Sequence, residues 1–179
     1  MTLEDKLALL EGGGEAGLDR GDLEQALRGG PPGVSAIFRA ASAVLSRTLG
    51  PAVYVRGIVE ISNACRKNCH YCGLRSGNTG LERYSMPLRE VTDALEEGWS
   101  AGLRSFLIQS GESLGDGHVE LVRAILDWTG GRWGDGVRMV LSLGELSPGV
   151  LALMKKAGAH RYLLRIETSS RRLYGQLPP

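Results

Sequence analysis

Cysteine is scarce in this chain of 179 residues, and all three cysteines lie within a single stretch, from Cys65 to Cys72. A secreted disulfide scaffold usually has an even number of cysteines, so this cluster indicates a reducing compartment, and we expect a cytoplasmic protein. No apolar run approaches the roughly 20 residues of a membrane-spanning helix. Because the net charge is only +1, the composition favours neither nucleic acid nor a membrane as a partner.

Several familiar sequence signatures are also missing. The N-terminus carries acidic residues early and lacks the basic segment and apolar core of a secretory signal. The glycines at positions 12–14 lack the Lys-Ser/Thr ending of a phosphate-binding loop and follow no predicted strand, so they indicate the end of a helix. The sequence shows no nucleophilic triad.

Residues 1–50 predict an N-terminal segment of three helices. Apolar residues recur at helical spacing in residues 2–11, 22–28 and 35–49. The second helix is expected to end at the run Gly29-Gly30-Pro31-Pro32, where glycine and proline both disfavour a helix interior. Glycine is abundant in the whole chain, with 26 residues, and its spread between apolar segments predicts many short turns.

Residues 51–179 predict strands that alternate with helices. The expected strands are residues 53–62, 104–110, 137–143 and 161–167. The expected helices are residues 87–101, 116–128 and 147–158, with another beginning near residue 169. Four successive βα units predict a parallel sheet with helical crossovers. The fold class is therefore α/β, a partial (β/α) TIM-type barrel of about four units, and we expect a small half-barrel or a fragment of a longer protein.

The spacing Cys65-x3-Cys69-x2-Cys72 has four interpretations. Three ordinary buried thiols do not suit so polar a loop. A structural zinc site needs a fourth ligand, and His70 lies inside the motif while the other histidines are distant in sequence. A disulfide with one free thiol is the third interpretation. An iron–sulfur cluster is favoured, because thiolates hold such clusters and three of them leave one iron of a four-iron cluster open.

The surroundings of the motif support a cluster. The loop follows the carboxyl end of the first predicted strand, where barrel enzymes place their chemistry. Arg66 and Lys67 add positive charge, which favours deprotonated thiols. The side chains of Ser62 and Asn63, together with amides of the loop, are expected to donate hydrogen bonds to the sulfurs.

Polar residues also mark the ends of the other predicted strands. They are Gln109, Ser110, Gly111 and Glu112 after the second strand, Ser142 and Glu145 after the third, and Arg165 and Glu167 in the fourth. The carboxyl ends of parallel strands open at one edge of a sheet, so these residues predict a single site. Arg165 and Glu167 are two residues apart and are expected to share one face of their strand.

The cysteine motif, with Tyr71 before its last cysteine, resembles the signature of the radical S-adenosylmethionine enzymes. The resemblance implies a [4Fe-4S] cluster on Cys65, Cys69 and Cys72, whose open iron binds S-adenosylmethionine. In that family the reduced cluster cleaves the cofactor to methionine and a 5′-deoxyadenosyl radical, which abstracts hydrogen from a substrate. The implied partners are an external electron donor and a small-molecule or metal-complex substrate.

The resemblance also implies contacts to S-adenosylmethionine. Ser110–Glu112 stands where the family has a Gly-Gly-Glu stretch that contacts the methionyl amino group, although serine replaces the first glycine. Tyr71 would lie near the adenine. Glu167 would bond to the ribose hydroxyls, and Arg165 would bind a carboxylate.

Four stretches resemble, within this superfamily, the [FeFe]-hydrogenase maturases of the HydE type. They are residues 60–75, 108–112, 141–145 and 161–168. This resemblance implies a role in assembling the hydrogenase active-site cluster, with other hydrogenase maturases as partners. Gln109, Ser142 and Arg165 would then lie toward the substrate, beside the apolar Val140. Biotin synthase, methylornithine synthase and a non-catalytic iron–sulfur module remain alternatives.

Overall fold

The computed structural model describes residues 1–113 and 115–177, and the chain divides into two compact units, Met1–Tyr54 and Val55–Pro179. Each unit has its own buried apolar core. In these described residues, no helix is both long enough and apolar enough to cross a membrane.

The first unit consists of three helices. They are α1, Leu3–Glu11, α2, Arg20–Arg28, and α3, Gly30–Thr48. Thr2 caps α1 and Asp19 caps α2, each in a capping box with an aspartate three residues later. The small core of this unit is formed by Leu3, Leu7, Ala26 and Ala40.

The sequence predicts that the run Gly29-Gly30-Pro31-Pro32 ends one helix and precedes the next at residue 35. The structure has no such linker between the two helices. Helix α3 begins at Gly30, and the prolines occupy its first turn. Proline is tolerated there because the first amides of a helix have no carbonyl partner within it. The run therefore ends α2 and starts α3 at once.

The second unit is built on a four-stranded parallel sheet. Its strands are β1, Gly57–Ser62, β2, Ser105–Ser110, β3, Arg138–Ser142, and β4, Arg161–Tyr162. Its helices are α4, Leu88–Ser100, α5, Asp116–Trp133, α6, Pro148–Lys156, and α7, Arg171–Tyr174, with a short 3-10 helix at Gly134–Gly136. The strands follow one another in the order β1-β2-β3-β4, and each pair of neighbours is parallel. The prediction of four successive βα units is confirmed.

The two faces of the sheet differ in chemistry. One face is apolar and packs against the helices through Val59, Ile61, Phe106, Ile108, Met139 and Leu141. The opposite face carries a polar row, because the strand register pairs Glu60 with Gln109 and Gln109 with Ser142. Successive side chains of a strand point to opposite faces. Gln109 and Ser142 therefore lie side by side on the face away from the core.

Strand β1 begins later than the sequence predicts. Its first residue is Gly57, which pairs with Phe106 near the start of β2. Residues 53–56 have no neighbouring strand, and Val53 and Tyr54 are strongly exposed. A β-rich sequence without a pairing partner forms no ladder, so β propensity alone misplaced this boundary.

Strand β4 is much shorter than the predicted strand at residues 161–167. Only Arg161 and Tyr162 pair with β3, which itself ends at Ser142. Beyond that point none of the described residues pairs with the chain as a strand, and the chain leaves the sheet. Arg165 and Glu167 consequently do not share a strand face, and that prediction was wrong.

Helix α5 continues to Trp133, beyond its predicted end at Trp128. Gly130 and Gly131 lie inside it in spite of their low helix propensity. The Trp133 indole stacks on Trp99, with ring centroids 4.6 Å apart, and this aromatic packing offsets the cost of the glycines.

Replacing the fully buried Leu95 of α4 with alanine is expected to lower the free energy of unfolding by about 2–5 kcal/mol, because it leaves a cavity in the core. Leu153→Ala on α6 is the matched control, and its 41% exposed side chain should cost less than about 1 kcal/mol. Tryptophan fluorescence during urea unfolding measures the free energy of unfolding of both variants, since all three tryptophans lie in the second unit. Equal losses in the two variants would contradict the core described above.

Candidate metal and cofactor site

The three cysteines lie in the long connection between β1 and α4. All three thiols are free and half-buried. Hydrogen bonds fold the connection back on itself, since the amide of Cys72 donates to the carbonyl of Cys69 at 3.0 Å and the amide of Ser76 donates to that of Lys67 at 2.8 Å. Residues 64–78, which we call the cysteine loop, therefore hold the three thiols on one compact turn-rich segment.

Residues 82–86 return alongside the end of β1, and we call them the return segment. The side-chain nitrogen of Asn63, Nδ2, donates to the carbonyl of Glu82 at 2.7 Å. Its side-chain oxygen, Oδ1, accepts from the backbone amide of Tyr84 at 2.8 Å. The Ser62 hydroxyl donates to the Tyr84 carbonyl, also at 2.8 Å. Contrary to the expectation from the sequence, the side chains of Ser62 and Asn63 bond to this backbone and not to the sulfurs.

The carboxylate of Glu112, after β2, is buried and paired with positive charge. Its Oε1 atom lies 2.7 Å from a terminal guanidinium nitrogen of Arg66 and 3.7 Å from the Lys67 ammonium. Its Oε2 atom accepts a hydrogen bond of 2.9 Å from the amide of Glu145, after β3. These partners compensate the cost of burying the charge. Arg66 and Lys67 of the cysteine loop are therefore paired with a carboxylate after β2 that is itself bonded to the segment after β3.

The backbone around Glu112 also bonds to the first cysteine. The Glu112 amide donates to Cys65 Sγ at 3.3 Å, and its carbonyl accepts from the amide of Arg66 at 2.9 Å. A Cβ atom at Gly111 would overlap the Ala64 carbonyl and lie 2.7 Å from the Cys65 Cβ. Only glycine permits this close approach between the end of β2 and the cysteine loop.

A cavity of about 260 Å³ opens at the carboxyl ends of β1, β2 and β3. It is lined by every predicted site residue except Cys69, namely Cys65, Tyr71, Cys72, Gln109, Ser110, Gly111, Glu112, Ser142, Arg165 and Glu167. Tyr174 of α7 also lines it, and its position gave no signal in the sequence. The structure thus brings together residues that lie as far apart in the chain as Cys65 and Glu167.

Tyr71 keeps its proton at neutral pH. Partial burial, together with nearby negative charge on Cys69 and Glu167, raises the pKa of Tyr71 to about 12. Its hydroxyl is consequently a hydrogen-bond donor at the cavity. Glu167 is held in the left-handed region, with φ of 59°, in the irregular segment after β4.

Two residues that sequence reasoning did not assign to the site contact predicted members. The carboxylate of Glu60 accepts a hydrogen bond of 2.8 Å from the Gln109 amide. The Nε2 atom of His118, on the first turn of α5, lies 3.1 Å from the Ser110 hydroxyl, and burial lowers the pKa of His118. The alternation of β1 is a usable signal for Glu60, whereas His118 is distant from the cysteine motif in sequence and gives no comparable signal.

The chemistry of the donor set fits an iron–sulfur cluster. Throughout residues 1–113 and 115–177, no three His, Cys, Asp or Glu side chains converge closely enough to hold a single metal ion. In a four-iron cluster each thiolate binds a different iron, so the sulfurs need not meet at one point. Three free thiols on one loop, beside a cavity and with an amide donor already on Cys65, match that requirement.

Comparison with known proteins gives a consistent result. The model of the radical SAM superfamily matches residues 59–177. The [FeFe] hydrogenase maturase subunit HydE of Thermotoga maritima is 37% identical over 147 residues, which cover 80% of this chain and 40% of HydE. Biotin synthase of Desulfatibacillum aliphaticivorans is 30% identical over 141 residues, which cover 74% of this chain and 41% of that protein.

Solved structures resemble the chain in fold. Methylornithine synthase, PylB, superposes with a TM-score of 0.80 at 24% identity, and the match covers 98% of this chain and 50% of the PylB chain. The maturase HydG from Carboxydothermus hydrogenoformans gives a TM-score of 0.81 at 20% identity, and the match covers 98% of this chain and 41% of the HydG chain. The chain therefore spans about 40% of the curated relatives that it matches.

The half-buried His118 predicts a pH dependence of stability. Because burial lowers its folded-state pKa below the ordinary 6.5, the unfolded chain binds the proton first as the pH falls below 6.5. The free energy of unfolding should decrease over that interval, and His118→Asn should reduce the slope. Urea unfolding at several pH values between about 5 and 7.5 measures it. His160→Asn, at an exposed histidine, is the control, and a wild-type slope in His118→Asn would contradict the assignment.

Proposed function

The chain belongs to the radical S-adenosylmethionine superfamily, and we propose that it is a radical enzyme, or the N-terminal part of one, that acts on S-adenosylmethionine at a [4Fe-4S] cluster. When bound, the cluster supplies the electron that cleaves the cofactor to methionine and a 5′-deoxyadenosyl radical. The observation that carries the proposal is a loop with three free thiols, two of which line the same cavity as a row of polar strand ends.

We assign the metal-binding role to Cys65, Cys69 and Cys72. As thiolates they would hold three irons and leave the fourth for the cofactor. The amide of Glu112, which donates to Cys65 Sγ, would stay with that sulfur and tune the cluster, because hydrogen bonds to sulfur shift its potential. An external donor is proposed to supply the electron.

The other polar residues are proposed to hold S-adenosylmethionine. The backbone at Ser110 and Gly111 and the negative charge of Glu112 favour the amino group of the methionyl part. Arg165 is a cationic partner for its carboxylate, and Glu167 can accept hydrogen bonds from ribose hydroxyls. The protonated hydroxyl of Tyr71 is a donor for the adenine.

The substrate side of the cavity is proposed to include Gln109, Ser142 and Arg165. All three line the cavity, and Gln109 and Ser142 are register partners on the polar face of the sheet. The identity with HydE favours a role in maturation of the [FeFe] hydrogenase, with a small-molecule or metal-complex substrate and other maturases as partners. The identity with biotin synthase and the fold of methylornithine synthase favour a related radical enzyme as the alternative.

Anaerobic reconstitution with iron and sulfide, followed by EPR of the reduced protein with and without S-adenosylmethionine, tests the proposal. We expect roughly four irons per chain and an EPR signal that shifts when the cofactor is added. Serine in place of Cys65, Cys69 or Cys72 should remove most of the iron, since each thiolate is a ligand. Ser76→Ala, in the same loop, should retain the wild-type iron content.

Two results would contradict the proposal in different ways. A cluster whose signal ignores S-adenosylmethionine would indicate a non-catalytic iron–sulfur module. Bound zinc without a cluster would indicate an α/β domain stabilised by a structural metal.

A further inference from the structure

Arg83, in the return segment, makes hydrogen bonds to both ends of the cysteine loop. One terminal nitrogen of its guanidinium donates to the carbonyls of Asn63 at 2.7 Å and Leu74 at 2.8 Å. The other donates to the carbonyls of Arg75 at 2.7 Å and Asn78 at 3.4 Å. A single side chain therefore joins the residue before the loop to the residues that follow Cys72.

The cysteine loop needs such a partner because it has no ladder of its own. It contains no helix or strand, so its carbonyls must find donors elsewhere or remain with water. Arginine presents five donors in a rigid planar fork and can reach several carbonyls in different directions, and its charge strengthens each bond. Lysine carries its donors on one nitrogen and cannot reproduce this geometry.

The position of Arg83 is itself fixed by the end of β1. The Asn63 side chain bonds to the backbone on either side of Arg83, at the Glu82 carbonyl and the Tyr84 amide. The Tyr84 hydroxyl donates to the carbonyl of Glu60 at 2.9 Å. Asn63 holds the backbone of Arg83, and the Arg83 guanidinium in turn holds the carbonyl of Asn63. This closed arrangement sets where the guanidinium stands relative to the sheet.

We propose that Arg83 is a positioning residue that fixes the cysteine loop in one conformation before any metal binds. It touches none of the three thiols and acts through the backbone that carries them. The consequence for cluster binding rests on the proposed function, whereas the ordering of the metal-free loop does not. The loop then offers its thiols in a set arrangement, and binding does not have to supply the free energy of ordering it.

Hydrogen exchange of the metal-free protein tests the ordering directly. In Arg83→Met the bonded loop amides, those of Cys72, Arg75, Ser76 and Asn78, should exchange about tenfold faster or more, because their local structure opens more often. Amides of β2 and α5 should keep their wild-type rates. Arg83→Lys keeps the charge but not the planar guanidinium, so the exchange rates of its loop amides should lie between those of the wild type and Arg83→Met.

The matched control is Arg89→Met, which removes an arginine with a 91% exposed side chain from the start of α4. It should leave the exchange of the cysteine loop unchanged. Wild-type loop protection in Arg83→Met would overturn the inference. A uniform loss of protection across the second unit would also overturn it, since Arg83 would then support the whole unit and not the loop.

Reconstitution separates this inference from the proposed function. We expect Arg83→Met to release iron to a chelator about tenfold faster than the wild type and to give a broadened EPR signal, with an unchanged melting temperature of the metal-free protein. If the wild type takes up a cluster that responds to S-adenosylmethionine and Arg83→Met retains it equally well, the inference fails while the function stands. If the wild type takes up no cluster, the function fails and the exchange rates alone decide the inference.

Discussion

The buried carboxylate of Glu112 is the group on which the rest of the site depends. A carboxylate removed from water is costly unless charges and donors surround it. Its partners come from two other segments, because Arg66 lies in the cysteine loop and the amide of Glu145 follows β3, while Glu112 itself follows β2. The shape of the cysteine loop and the assembly of the sheet are consequently coupled through one side chain.

The parallel sheet makes this convergence possible. Because all four strands run in the same direction, the residues that follow β1, β2 and β3 meet at one edge. The helix-covered face provides the apolar core, and the other face presents Glu60, Gln109 and Ser142 in one row. The apolar core and the polar residues of the candidate site therefore lie on opposite faces of the same strands.

The sequence predicts those parts of the molecule whose signals are local. The predicted helix starts at residues 2 and 147 are confirmed, and Thr2 and Ser147 cap these helices, because a cap depends on the few residues that follow it. The predicted length of β4 was wrong, because the end of β3 limits how far β4 can pair and no local sequence pattern shows that limit. Arg83 and His118 were missed as supports of the site for the same reason. Each acts on groups distant in the chain, and in the sequence each resembles an ordinary surface residue.

Glu167 is the only non-glycine residue with positive φ in the described part of the chain. A left-handed backbone costs a residue with a Cβ atom about 1–2 kcal/mol, and glycine would avoid that cost. Glycine would also remove a carboxylate that lines the cavity. Backbone stability and the proposed ligand contact therefore oppose each other at this position, and engineering of the chain for thermal stability has to leave it unchanged if that contact is to be kept.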